Sequence, residues 1–198
     1  MAARPLRDSD VRQAAYQRLL THAQACPDTL VIDELGLDHG SCRIDIAVIN
    51  GHIRGVEIKA EADTLKRLPR QVAAYGEVVD KALLIVDSKH LVSAIEMVPD
   101  WWGVMVVERG TTRGVKFRRV RAERVNKDIN PLALARLLWR PEAQAILRGL
   151  GVSERELRAQ RATLYAMLVD GLSLRKLAQA VRETLKARTA WRDRPPLL

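Results

Sequence analysis

A lysine and three acidic positions are spaced as phosphodiester chemistry would require. In Gly55-Val56-Glu57-Ile58-Lys59-Ala60, a short and mostly apolar stretch, Glu57 and Lys59 lie two residues apart. In a strand they leave the same face, about 7 Å from each other, while Val56, Ile58 and Ala60 leave the opposite face toward a core. Upstream, Asp45 interrupts an apolar set formed by Ile44, Ile46 and Val48, and Asp33 and Glu34 offer a further carboxylate. Converging carboxylates raise one another's pKa unless a cation neutralises them. Hard oxygen ligands of this kind select Mg2+ or Mn2+. A lysine beside such a ligand orients a metal-bound water and stabilises charge building on a phosphate. The plainer alternative is a set of surface charges, with Asp45 and Glu57 paired to Lys59 and Arg43.

These side chains meet only if the surrounding elements bring them together. Asn50-Gly51 between residues 42–50 and 52–60 predicts a tight antiparallel hairpin. That hairpin sets residues 45–48 across from 53–57, so Asp45 reaches Glu57. A further strand is expected over 29–36. Ahead of it, 8–25 reads as one helix, capped by Ser9 or Asp10, with Val11, Ala14, Ala15, Leu19 and Ala23 at helical spacing. Residues 63–80 read as a helix with Asp63 at its cap, and Pro69 marks a kink or a second start. Strands are expected over 81–87, 103–108 and 115–121, with a short helix over 89–98. The alternation predicts an α/β fold with a mixed sheet.

Asp45, eleven intervening residues and Glu57-Ile58-Lys59, on a hairpin behind an N-terminal helix, resemble the PD-(D/E)xK nuclease superfamily. The neighbourhood is similar to small bacterial endonucleases of the MmcB and VRR-NUC type and to a bacterial branch beside them. Gln71-Val72-Ala73-Ala74-Tyr75 looks like the Q-x-x-x-Y element of some members. The resemblance covers residues 8–121, although Ile44 stands where the superfamily's name has proline. It implies a restriction-endonuclease-like core and a metal-dependent DNA endonuclease of repair, recombination or defence. Asp45 and Glu57 would be metal ligands with the Ile58 carbonyl as a third, Glu34 the upstream acid and Lys59 the catalytic lysine. Arg67, Gln71 and Tyr75 on the following helix would help hold DNA. The second reading is a catalytically silent relative that binds nucleic acid or a protein partner, and homodimerisation is compatible with either.

The chain carries 33 Lys/Arg against 24 Asp/Glu, a net charge of +9, which favours an acidic partner. The excess is uneven: residues 1–125 hold 19 basic and 17 acidic residues, residues 126–198 hold 14 and 7. The boundary coincides with a change of pattern, so 1–125 reads as the core and 126–198 as a basic, all-helical extension. Helices are expected over 132–151, 153–171 and 173–189, with a Ser153/Glu156 capping box. Residues 191–198 read as a frayed end. Arg155, Arg158, Arg175 and Lys176 are the phosphate-contact candidates there. Trp101-Trp102 either stacks on a base or, after Pro99, anchors a loop on the core. Two cysteines at 26 and 42 exclude a disulfide framework and a zinc site of C-x-x-C spacing. No signal-peptide pattern or apolar run of membrane-spanning length is present, so a cytoplasmic protein is expected.

Overall fold

The computed structural model describes residues 4–110 and 114–189. Six strands form one mixed sheet in sequential order: β1 (Leu30–Leu37), β2 (Cys42–Ile49), β3 (Ile53–Lys59), β4 (Lys81–Asp87), β5 (Gly103–Arg109) and β6 (Val115–Arg121). The β1–β2, β2–β3 and β5–β6 pairs are antiparallel, whereas β3–β4 and β4–β5 are parallel. Parallel neighbours need a crossover, which α3 (Leu68–Gly76) and α4 (Leu91–Met97) provide. The hairpin closes over Asn50, Gly51 and His52, where the Asn50 side chain accepts the His52 N–H at 3.1 Å.

Two apolar layers sandwich the sheet. On one side α1 (Asp8–Arg18) and the segment leading to α2 (Thr21–Ala25) place Val11, Ala15 and Leu20 against Ile46, Val48, Val56, Ile58 and Ile85. On the other side α3 and α4 are joined by α5 (Pro131–Ala135), α6 (Arg140–Gly149), α7 (Arg161–Gly171) and α8 (Leu174–Ala187). The C-terminal helices therefore share a core with the sheet: Leu177, Val181 and Leu185 of α8 belong to the same cluster as Ile44, Ala47 and Tyr75. The segment 122–130, extended and without regular structure, leads from β6 to these helices.

Several elements differ from the sequence reading. The helix expected over 8–25 breaks at Leu19–Leu20, and its cap is the Asp10 carboxylate, which accepts the Arg7 N–H at 3.0 Å. The helix expected from Asp63 begins at Leu68; Pro69 sits in its first turn, where a missing N–H is harmless, and Asp63 accepts the Ala60 N–H instead. Pro141 likewise opens α6, so the first expected C-terminal helix divides into α5 and α6. The Ser153/Glu156 box forms but caps only a single turn at Glu156–Arg158, and α7 starts at Arg161. Residues 191–198 lie outside the described residues. Trp102 is buried against Tyr75 with ring centroids 5.1 Å apart, so it anchors a loop to the core. Among the described residues no helix is long and apolar enough to cross a membrane.

One break in alternation matters most. Ile44 does not share a face with Ile46 and Val48; it packs in the opposite layer with Leu35. The switch lies at Glu34 and Asp45, between the Asp33–Ile46 and Leu35–Ile44 pairs. Glu34 has φ +58°, a left-handed conformation that a side chain adopts only against resistance.

Gly55 on β3 sets how closely α3 approaches the sheet, because a Cβ there would lie 2.7 Å from the Tyr75 ring. Gly55→Ala is expected to lower stability by about 1–3 kcal/mol through overpacking. Chemical denaturation measures it, and a wild-type midpoint would show that the helix shifts freely.

Candidate functional site

Glu57 and Lys59 leave β3 on the face covered by α3, and both are buried, at 0% and 3% exposure. A carboxylate in such a place must be answered by a cation or by donors. The Lys59 ammonium forms an ion pair with Glu57 and donates to the Gln71 amide oxygen at 2.9 Å. The Tyr75 hydroxyl donates to the second Glu57 oxygen at 2.7 Å. Gln71 and Tyr75, one helical turn apart on α3, thus close over the pair. Burial and the nearby Glu57 and Asp45 charges push the Tyr75 phenol well above its ordinary pKa, which keeps it a donor.

Asp45 stands where β2 and β3 part. Their pairing runs from Ile49–Ile53 to Ile46–Val56 and then ends. The Asp45 carboxylate accepts the Ile58 N–H at 2.8 Å, in the place of a strand carbonyl, and the Asp45 N–H donates to the Tyr75 hydroxyl at 3.3 Å. Burial, reinforced by the Glu57 charge, pushes the Asp45 carboxyl up to about 7.

Arg12 of α1, whose side chain is 11% exposed, is the centre of the second network. It pairs with Asp8 at 3.0 Å, Asp33 at 2.8 Å, Glu34 at 3.3 Å and Asp45 at 3.7 Å. It also donates to the Asp45 carbonyl at 2.5 Å. Burial opposes the guanidinium charge, but these carboxylates overcome that and raise its pKa above the ordinary arginine value. Tyr16 adds a hydrogen bond to Asp33 at 3.0 Å, and Arg43 reaches the other Glu34 oxygen at 3.6 Å.

The expected residues therefore come together, but as two closed networks. Asp45, Glu57 and Lys59 are neighbours, and Glu34 and Asp33 are both drawn to Arg12. Ile58 points into the core and pairs with Ile85 across to β4. Among the described residues no group of three or more His, Cys, Asp or Glu side chains is arranged to hold a metal ion. Of the α3 residues expected to face DNA, Arg67 is exposed, Gln71 is half-buried on Lys59, and Tyr75 is fully buried and cannot meet a duplex. The Arg12 hub escaped the sequence reading; Asp8 and Arg12 at i and i+4 were its only local sign. In the C-terminal helices Arg155, Arg158, Arg175 and Lys176 are all exposed.

The model of the family described as "Bacteriophage P4 protein cII" matches residues 3–194. A curated relative, "Protein cII" of Enterobacteria phage P4, is 26% identical over 184 residues, covering 92% of this chain and 68% of the relative. No solved structure matches the chain. These matches overturn the expected kinship with PD-(D/E)xK nucleases, and with it the metal-dependent endonuclease and the setting in repair, recombination or defence. The spacing misled because the same charges serve another purpose. The acidic side chains are engaged by Arg12, Lys59, Tyr75 and the Ile58 N–H.

Removing one member of a buried pair leaves the other uncompensated. Lys59→Ala is expected to cost about 3–5 kcal/mol in denaturant unfolding, and Glu57→Gln combined with Lys59→Met should recover most of it. An unchanged midpoint for Lys59→Ala would mean that the pair carries no stability. Asp45 has its folded pKa raised from 3.8 to about 7, so its contribution is fully present below pH 3.8 and is lost as pH rises through about 7. The loss can reach about 4 kcal/mol at about 1.4 kcal/mol per pKa unit. Asp45→Asn keeps an acceptor for Ile58 without the titration. Its stability relative to wild type is expected to grow between pH 4 and 8; a gap that stays constant with pH would rule out a strained carboxylate.

Proposed function

This chain belongs to the bacteriophage P4 protein cII family, and on that premise we propose that it binds nucleic acid without cutting it. The observation that carries this reading is the contrast between its two charged regions. The acidic cluster around β3 is closed by internal partners, whereas Arg155, Arg158, Arg175 and Lys176 are exposed on or beside helices whose apolar sides face the core. In α8, Leu177, Val181 and Leu185 face inward and Arg175 and Lys176 outward. A two-residue connection, Leu172–Ser173, joins α7 to α8, and the Ser173 hydroxyl accepts the Lys176 N–H at 3.5 Å. A basic helix held at its start by a short turn from a packed neighbour suits docking on phosphates.

Rigidity supports the same reading. Arg188 at the far end of α8 pairs with Glu142 of α6 at 2.6 Å and lies 3.9 Å over the Trp139 ring. Lys186 is bound to Asp28 near β1 at 2.5 Å. The helix is thus fixed to the rest of the molecule, and its exposed cations are held in place. Arg155 and Arg158, flanking the turn before α7, extend the basic surface.

Guanidinium and ammonium groups meet phosphate directly, so this route needs no Mg2+ or Mn2+, and binding should persist in EDTA. Replacing Arg155, Arg158, Arg175 and Lys176 together by Gln is expected to weaken binding of a labelled duplex. It should also flatten the dependence of log Kd on log salt by roughly 3–4, at about 0.9 for each phosphate no longer neutralised. Fluorescence anisotropy across a salt series measures both. Unchanged affinity and slope would refute the reading, as would cleavage of a supercoiled plasmid in Mg2+.

A further inference from the structure

An open cleft of about 510 Å³ lies where the N-terminal half of α8 faces the β2–β3 turn and the segment after β6. Its volume falls in the range that encloses a small organic molecule, about 300–1,000 Å³. Ile53, Val78, Leu134 and Ala178 form apolar walls, and Leu174, 41% exposed, stands at the edge. Arg175, Ala178 and Arg182 recur at three and four residues, so one face of α8 turns toward the cleft. Lys127 joins them from the segment after β6, and His52 stands at the turn.

The charge balance is one-sided. Among the described residues Lys127, Arg175 and Arg182 form no ion pair, in contrast to Lys186 and Arg188 farther along the same helix. Asp80 is the single carboxylate lining the cleft, and one of its oxygens already accepts the Ile53 N–H at 2.7 Å. Three cations around an apolar floor call for an anion that carries a flat apolar body.

We infer that this cleft seats one unpaired nucleotide, its phosphate among Lys127, Arg175 and Arg182 and its base against the apolar walls. The inference rests on the nucleic-acid reading above and deepens it. Paired bases are stacked inside a duplex, so the cleft takes a nucleotide from a single-stranded segment or a free nucleotide. Unpaired bases are the ones available for stacking on protein surfaces. The cleft would give the protein a preference for unpaired over paired strands, beyond the indifferent attraction of surface charge.

The test uses the full chain, a labelled single-stranded 15-mer, the same sequence as a duplex, and dAMP. Ala178→Trp fills the cleft without changing charge; Arg182→Gln removes one cation and is the fallback if the larger residue impairs folding. Each variant is expected to weaken single-strand binding about tenfold while leaving duplex binding within about twofold, and Arg182→Gln should lower the single-strand salt slope by about one. Displacement of the strand by dAMP identifies a free nucleotide as an occupant; absence of displacement assigns the cleft to a strand. Single-strand affinity unchanged in both variants overturns the inference and leaves the nucleic-acid reading standing. If wild type binds neither oligonucleotide, that reading fails, and equilibrium dialysis with dAMP decides the cleft alone. Saturable binding lost in Ala178→Trp supports it, and no binding overturns it.

Discussion

A fully buried carboxylate on a central strand has to be neutralised where it stands, and Glu57 imposes that demand on everything around it. Lys59 answers from the same strand face, Tyr75 from the helix above, and Gln71 holds the lysine in turn. Each partner constrains an element. The Tyr75 contact fixes the rotation of α3 about its axis, and the ring's approach to β3 requires a residue without a side chain at Gly55. Tyr75 then packs on Trp102, which draws in the chain leading to β5. A polar network fully satisfied in this way gives the core one arrangement rather than several.

Arg12 does the equivalent work on the opposite side of the sheet. The strands β1 and β2 change their alternation at Glu34 and Asp45, and β2 parts from β3 just beyond. A sheet opened at that point exposes backbone donors and gathers acidic side chains. The guanidinium, with its five donors in a fixed fork, spans the gap from α1. The Asp45 carboxylate takes the Ile58 N–H that no strand carbonyl accepts. Burial and the Glu57 charge raise the pKa of Asp45, so a carboxylate serves as a structural acceptor in a place that disfavours its charge.

This division explains why a pattern resembling a nuclease motif occurs in a chain of the bacteriophage P4 protein cII family. Paired acids and a lysine at period-two spacing satisfy the needs of a metal site and of a buried ion-pair network alike. Internal cations fill the second role here. The net positive charge is concentrated after residue 125, and among the described residues Arg175 and Lys176 stand exposed on α8, which packs by its apolar side. The molecule thus separates charges paired inside the fold from charges left on its surface.

Local physics written into the chain determined the six strands, the hairpin at Asn50-Gly51, the inward set Val56, Ile58 and Ala60, and the switch to helices after the sheet. Period-two alternation, turn chemistry and apolar run length act over a few residues and need no tertiary information. The meeting of Asp45, Glu57 and Lys59 was also legible, because hairpin register and period-two spacing carry it; the bond from Lys59 to Gln71 was not. Pro69 marked the start of α3 locally. Tertiary structure alone decided the reversal of Ile44 and the inward turn of Tyr75, which depend on contacts between residues far apart in the chain: Arg12 with Asp33 and Asp45, and Tyr75 with Glu57. The pattern of side chains states which groups can neutralise one another. Only their separation and burial in the folded molecule determine whether a carboxylate meets a metal ion, a solvent molecule or the guanidinium of its own chain.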